Sequence, residues 1–156
     1  MVRQSLGSMS KGEVIRRFQL ACSASLGEME QAVQQGVAAG EVEDLAALLG
    51  LPLARLSCAL GVPHSTIRRK ARINEALRLD QGERVLGLQR IVGRVQAMVE
   101  KGGDPTGFDA GAWTGRWLLS AQPALGGRLA IEFLGTVTGQ QLLDDLLLRN
   151  LTGTYA

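Results

Sequence analysis

The stretch LARLSCALGVPHSTIRRKARINEALRL, residues 53–79, decides the fold. Two helical patterns, over 53–60 and 65–79, meet at the tight step Gly61-Val62-Pro63-His64, which is the sequence shape of a helix-turn-helix. Leu56 and Leu60 supply the buried face of the first helix, and Ile67 anchors the second beneath them. Gly61 can take positive φ at the step, and Val62 plugs it. Counted from the turn, His64, Ser65, Arg68, Arg69 and Arg72 project away from the Ile67 face, toward the phosphates and base edges of a major groove. Lys70 is placed for phosphate, in a position where many such helices carry another apolar anchor, a part left to Ala71. Pro63 stands at the N-cap, where Ser or Thr would bond an orphan N–H.

Charge singles out the same region. The chain has 156 residues and a net charge of +2, but residues 55–94 alone carry +6, against −2 on either flank. The island's cations are eight Arg and one Lys, and arginine is the side chain best suited to phosphate and guanine. A basic run on an arbitrary helix usually means only a solvated surface. Here it begins one turn after the helix-turn-helix step, where recognition residues sit, so nucleic acid is the expected partner.

Hydrophobic side chains make up 46% of the chain and aromatics 4%, so a core of Leu, Val, Ile and Ala is expected and an intrinsically disordered class is excluded. No run approaches the ~18 apolar residues of a membrane span, and the N-terminus has no secretory block, which places the protein in the cytoplasm. Cys22 and Cys58 sit far apart among apolar neighbours, and both are read as small buried packers. With His64 the single histidine, no disulfide framework and no zinc site are expected. Catalysis is not indicated either. There is no Ser/His/Asp or Cys/His arrangement, and Asp144 and Asp145, adjacent on a helix, face different directions. Neither a cofactor nor a metal is expected.

Periodicity is helical nearly throughout, which predicts an all-α fold. Residues 1–10 read as a loose tail, and Val14, Ile15, Phe18 and Leu26 as a weak first helix, before a helix over 28–39 that Gly40 ends. An acid-led helix follows over 41–49, closed by Gly50 and set off by Pro52. Asp80-Gln81-Gly82-Glu83 reads as a capping box opening a helix to Lys101. Its broad stripe of Val85, Leu86, Leu88, Ile91, Val92, Val95 and Val99 requires burial, against its neighbours or against a second subunit, while Arg84, Arg90 and Arg94 form a polar strip. A homodimer fits, because two-fold operators are read by dimers.

Gly102-Gly103-Asp104-Pro105-Thr106-Gly107 reads as a linker, dividing the chain into an N-terminal tail over 1–27, a DNA-binding unit over 28–101 and a second unit over 102–156. The second unit reads as a helix over 108–120 capped by Asp109, with Trp113, Trp117 and Leu118 as packers, a short helix over 129–134 and a leucine-rich one over 140–148. Gly126-Gly127-Arg128 is expected as a tight turn between helices, with Arg128 paired to Glu132 at i, i+4 or held for a partner.

The C-terminal residues carry a resemblance. Trp117-Leu118, then Pro123-Ala124-Leu125-Gly126-Gly127-Arg128, Glu132-Phe133-Leu134-Gly135-Thr136, Gly139 and Gly153-Thr154-Tyr155-Ala156 resemble the Xre/MbcA/ParS toxin-binding domain of antitoxins. Residues 56–70 resemble the Xre-like helix-turn-helix that precedes this domain in the same family. Relatives often show Pro-Asn before the leucine and Pro after Gly-Gly-Arg, where this chain has Gln122-Pro123 and Ala130.

The resemblance implies an antitoxin of a type II pair whose toxin has a RES domain and consumes NAD, by hydrolysis or by ADP-ribosylation. It further implies that the C-terminal domain covers the toxin's active-site entrance, that the last residues insert into it, and that the helix-turn-helix represses the shared operon. Leu151, Gly153, Thr154, Tyr155, Ala156 and Arg128 are the residues so assigned to toxin binding. A terminal carboxylate beside an aromatic ring suits a dinucleotide pocket. The other reading of the tail folds Tyr155 back on Trp113 or Trp117 with a frayed terminus. A helix-turn-helix repressor without a toxin partner is the alternative function.

Overall fold

The computed structural model describes residues 5–151 and is all-α apart from one minimal hairpin. Eight α-helices are present among those residues: α1 Lys11–Cys22, α2 Leu26–Gln35, α3 Gly40–Leu49, α4 Leu53–Leu60, α5 His64–Arg72, α6 Leu79–Gly102, α7 Ala110–Leu118 and α8 Val137–Leu151.

The long helix α6 is the axis of the packing. Val85, Leu88, Ile91, Val92 and Val95 are buried, and α1, α2, α4, α7 and α8 all pack against it. The apolar stripe is therefore consumed largely within the chain, the first of the two outcomes the sequence leaves open. The helix opens two residues earlier than the capping-box reading has it. Arg78 is its N-cap, the Arg78 N–H donates to Gln81 Oε1, and Asp80 pairs instead with the Arg78 guanidinium.

The N-terminal segment is more firmly held than its sequence suggests. In place of a loose tail, Leu6–Ser8 forms a 3-10 turn that buries Leu6 against α3. Ser10 and Glu13 then cap α1 reciprocally. Nor is α1 weak: Phe18 is fully buried, and Gly93 of α6 lets the two backbones approach so closely that a Cβ there would strike the Phe18 carbonyl. Arg17 adds an ion pair, at 2.8 Å, to a buried Glu41 that also accepts from Gln89. Of the two cysteines, Cys22 is half-buried and Cys58 is exposed, so Cys58 is not the buried packer its neighbours imply.

Elsewhere the shifts are local. The pattern over 65–79 stops at Arg72, because Asn74 takes φ +54 and the chain turns into an antiparallel bridge between Ala38 and Ala76. In the second unit, Ala121–Gln122 pairs with Arg128–Leu129 as a two-residue hairpin. The Gly126-Gly127 step is indeed a tight turn, both residues at positive φ, but it joins strands rather than helices. A 3-10 turn over Ala130–Phe133 replaces the expected short α-helix, since Glu132 reaches back to the Leu129 N–H and the chain turns again within one step. Asp109 caps α7 as read, accepting from the Ala112 N–H at 3.0 Å.

Candidate functional site

The first candidate surface is the outer face of α5. Leu56, Leu60, Val62 and Ile67 are buried and fix α4 and α5 about the turn. Gly61 closes α4 at φ +71, and the Val62 N–H donates to the Ser57 carbonyl at 3.0 Å. From behind, Arg84 of α6 donates to the Leu60 carbonyl at 2.7 Å, so the end of α4 is gripped by the central helix. Pro63 precedes α5 with no side-chain cap, which leaves the first N–H groups of α5 directed outward at a helix end that favours anions.

His64, Ser65, Arg68, Arg69 and Arg72 are all exposed. At 100° per residue they occupy one arc away from Ile67, as the spacing predicts. Among the described residues no carboxylate pairs with Arg68, Arg69 or Arg72, although Arg68 Nε lies 3.4 Å from His64 Nε2. Three fixed cations thus stand on a rigid helix with no partner of opposite sign, the arrangement that phosphate and guanine recognition requires.

Lys70 departs from its expected part. Its side chain is only 14% exposed, its Nζ donates to the Ala76 carbonyl at 3.1 Å, and Glu75 lies 3.8 Å away. It closes the loop after α5 instead of facing outward. Ala71 packs against the core beside Ile67, in the anchoring role the sequence assigns it. One residue of this region was not singled out by the spacing argument: Arg55, exposed on α4. The charge island includes it, and that is the signal that marks it.

The second candidate surface belongs to the C-terminal unit. Trp113 and Trp117 stack with ring centroids 6.3 Å apart and planes 11° from parallel, Trp117 buried and Trp113 packed at the core's edge. Arg128 is exposed on the hairpin, 3.4 Å from Glu132 and 4.6 Å over the Phe133 ring, so it is held in place yet accessible. Both halves of the earlier alternative therefore remain compatible, the internal pair and the outward hold. Leu151 is the last residue of α8. Gly153, Thr154, Tyr155 and Ala156 lie outside the described residues. Asp144 and Asp145 do not act as a pair, because Asp144 is bound to Arg94 of α6 and Asp145 is exposed on the next face. Burial pushes the Cys22 thiol up. Among the described residues no group of three His, Cys, Asp or Glu is placed to hold a metal ion, and no helix is long and apolar enough to cross a membrane.

An anchored helix-turn-helix with unpartnered arginines is thus followed by helices that hold a stacked tryptophan pair and share its core. Comparison with known proteins gives the chain its class. Residues 28–90 match the antitoxin Xre-like helix-turn-helix domain, and residues 107–150 match the antitoxin Xre/MbcA/ParS C-terminal toxin-binding domain. The chain is also 36% identical over 124 residues, 80% of its length and 78% of the relative's, to a Prs ADP-ribosylating antitoxin of Sphingobium sp. (strain YBL2). The chain belongs to the Xre/MbcA/ParS family of antitoxins.

Proposed function

We propose that this antitoxin neutralises a RES-domain, NAD-consuming toxin by covering its active-site entrance and inserting Gly153, Thr154, Tyr155 and Ala156, with Leu151 and Arg128 at the rim. The observation that carries the reading is the order of parts: a match to a toxin-binding domain ends at residue 150, and a Gly-Thr-Tyr-Ala segment follows it at 153–156. The relative's name joins ADP-ribosylation to an antitoxin, and this favours transfer of ADP-ribose over plain NAD hydrolysis as the toxin's chemistry.

The same chain represses its own operon in the cytoplasm. His64, Ser65, Arg68, Arg69 and Arg72 touch operator DNA, while Lys70 supports the helix from behind. The working division falls at residue 102, with the DNA-binding unit before it and the toxin-binding unit after it. The protein reads DNA as a homodimer, since two half-sites related by a two-fold axis need two copies.

The test is growth rescue and co-purification with the product of the adjacent gene, comparing the full chain with one ending at Thr152. Rescue by the full chain alone, with binding retained by both, supports the plug. If the shortened chain rescues equally, insertion is refuted. Should neither form bind the neighbour, a helix-turn-helix repressor without a toxin partner is what remains.

A further inference from the structure

Gln140, in the first turn of α8, is only 5% exposed. Its Nε2 donates to two backbone carbonyls, that of Arg84 at 2.9 Å and that of Leu134 at 3.0 Å. A side-chain amide has two N–H donors, so each carbonyl takes one. Gly87 of α6 leaves room for the group, since a Cβ there would fall 1.8 Å from Gln140 Oε1. Burying an amide costs desolvation that a leucine at the same place would avoid, so the two carbonyls it holds point to its role.

Both carbonyls belong to segments that support the end of α4. The Arg84 guanidinium donates to the carbonyl of Leu60, the last residue of α4, and pairs with Asp80 at 3.5 Å. The Leu134-Gly135 step lies against the residue before it: a Cβ at Gly135 would stand 3.2 Å from the Ala59 carbonyl, and the 3-10 turn over Ala130–Phe133 also packs on α4. Gln140 therefore ties together the two supports of Ala59 and Leu60. From Leu60 the chain passes through Gly61, Val62 and Pro63 straight into α5. Where α4 ends thus fixes where His64 and the arginines of α5 begin.

We infer that Gln140 is a positioning residue for operator reading: it holds Arg84 and the Leu134-Gly135 step against the end of α4, and so sets the placement of α5. It acts through α4 and touches no DNA itself. The inference rests on the operator-binding reading above and extends it across the division at residue 102, because a side chain beyond that point aims the helix before it.

Fluorescence anisotropy of the full chain on its own promoter fragment tests it, at a temperature where circular dichroism melts show every variant folded. Gln140→Met keeps the length of the side chain and removes its donors, and should lower operator affinity roughly fivefold. Gly87→Ala reaches the same end without touching Gln140. The atom its Cβ meets is the far end of a flexible side chain, so the amide is displaced while the fold stays, and the test holds even if Gln140→Met fails to fold. Arg84→Met should also weaken binding, and combined with Gln140→Met it should lose clearly less than the two single losses multiplied, because both act at Leu60. In nitrogen-15 spectra the Arg84 Nε–H resonance, held on the Leu60 carbonyl, should move in Gln140→Met and Gly87→Ala. Losses that multiply in full, or an Arg84 resonance that stays in place, separate Gln140 from the end of α4 and overturn the inference. A wild type that binds the fragment no better than folded Gln140→Met and Gly87→Ala overturns it too and leaves operator reading standing. A wild type that does not bind the fragment overturns both.

Discussion

The arginines of α5 and those along the seam between α6 and its neighbours carry the same charge in opposite circumstances. Arg68, Arg69 and Arg72 are exposed and face no carboxylate, whereas Arg84 is bound to the Leu60 carbonyl and Arg94 to Asp144. In the sequence all of them belong to one basic island. Pairing, more than charge, separates the two groups: a cation whose donors are already satisfied inside the fold has little to offer a phosphate. The seam arginines position α4 and α8, and the α5 arginines keep their donors free of any carboxylate among the described residues.

The sharpest break of this comparison is Arg68→Ala with Arg69→Ala. Each arginine is expected to contribute about 1–3 kcal/mol to operator binding, so the pair should lower affinity by roughly 30-fold or more. The logarithmic slope of affinity against salt should shrink by about one for each phosphate contact removed. Thermal stability and toxin capture should be unchanged. Fluorescence anisotropy on the chain's own promoter fragment at several salt concentrations measures both quantities. An unaltered slope would mean that the exposed arginines of α5 are only a solvated face.

Why one region was legible and the other was not follows from where the partners lie. The helix-turn-helix is specified locally: Leu56, Leu60, Gly61, Val62 and Ile67 fall within twelve residues, and their spacing alone places His64, Ser65, Arg68, Arg69 and Arg72 outward. Lys70 escaped the same reasoning because its acceptor, the Ala76 carbonyl, belongs to a loop that exists only once Ala38 and Ala76 bridge. The first helix looked weak for a related reason. Its main contact is with α6, more than seventy residues away, and glycine at 93 leaves no hydrophobic signal even though it permits the closest approach in that contact. The hairpin at 121–129 is too short to show alternation. In the toxin-binding unit, the order of aromatic, glycine and proline positions was readable as a resemblance, while the surface it forms depends on how Arg128 lies over Phe133.

Gly93→Ala sharpens the comparison from the other side. The added Cβ meets the Phe18 carbonyl and the Gln19 nitrogen, which are backbone atoms that cannot rotate away, so α1 must lift from α6. A loss of about 1–3 kcal/mol is expected, net of the helix propensity that alanine gains. Urea melts should show it as a lower midpoint with the slope preserved. Operator affinity per folded molecule should hold, because neither α5 nor the Arg84 grip on Leu60 touches this contact. A variant as stable as the wild type would show that α1 tolerates a wider spacing than the structure has.

The smallest effect expected lies at the boundary between the two groups of arginines, where Asp80 opens α6. A hydrogen bond from Arg78, reinforced by the charges of Arg78 and Arg84, pulls its carboxyl down to about 2. A depressed carboxylate stabilises the fold fully above its unfolded value, near 4, and loses that contribution as pH falls toward 2. Wild type and Asp80→Asn should therefore differ slightly at pH 7, still differ at pH 5, and converge between about pH 4 and 2. Because the group is fully exposed, salt should also close the gap. Urea midpoints of the two proteins at pH 7, 5 and 3, with and without added salt, measure it. A gap that widened on acidification would have the wrong sign for a carboxylate stabilised by arginine, and the absence of any gap at pH 7 would mean that Arg78 and Arg84 hold the start of α6 without Asp80.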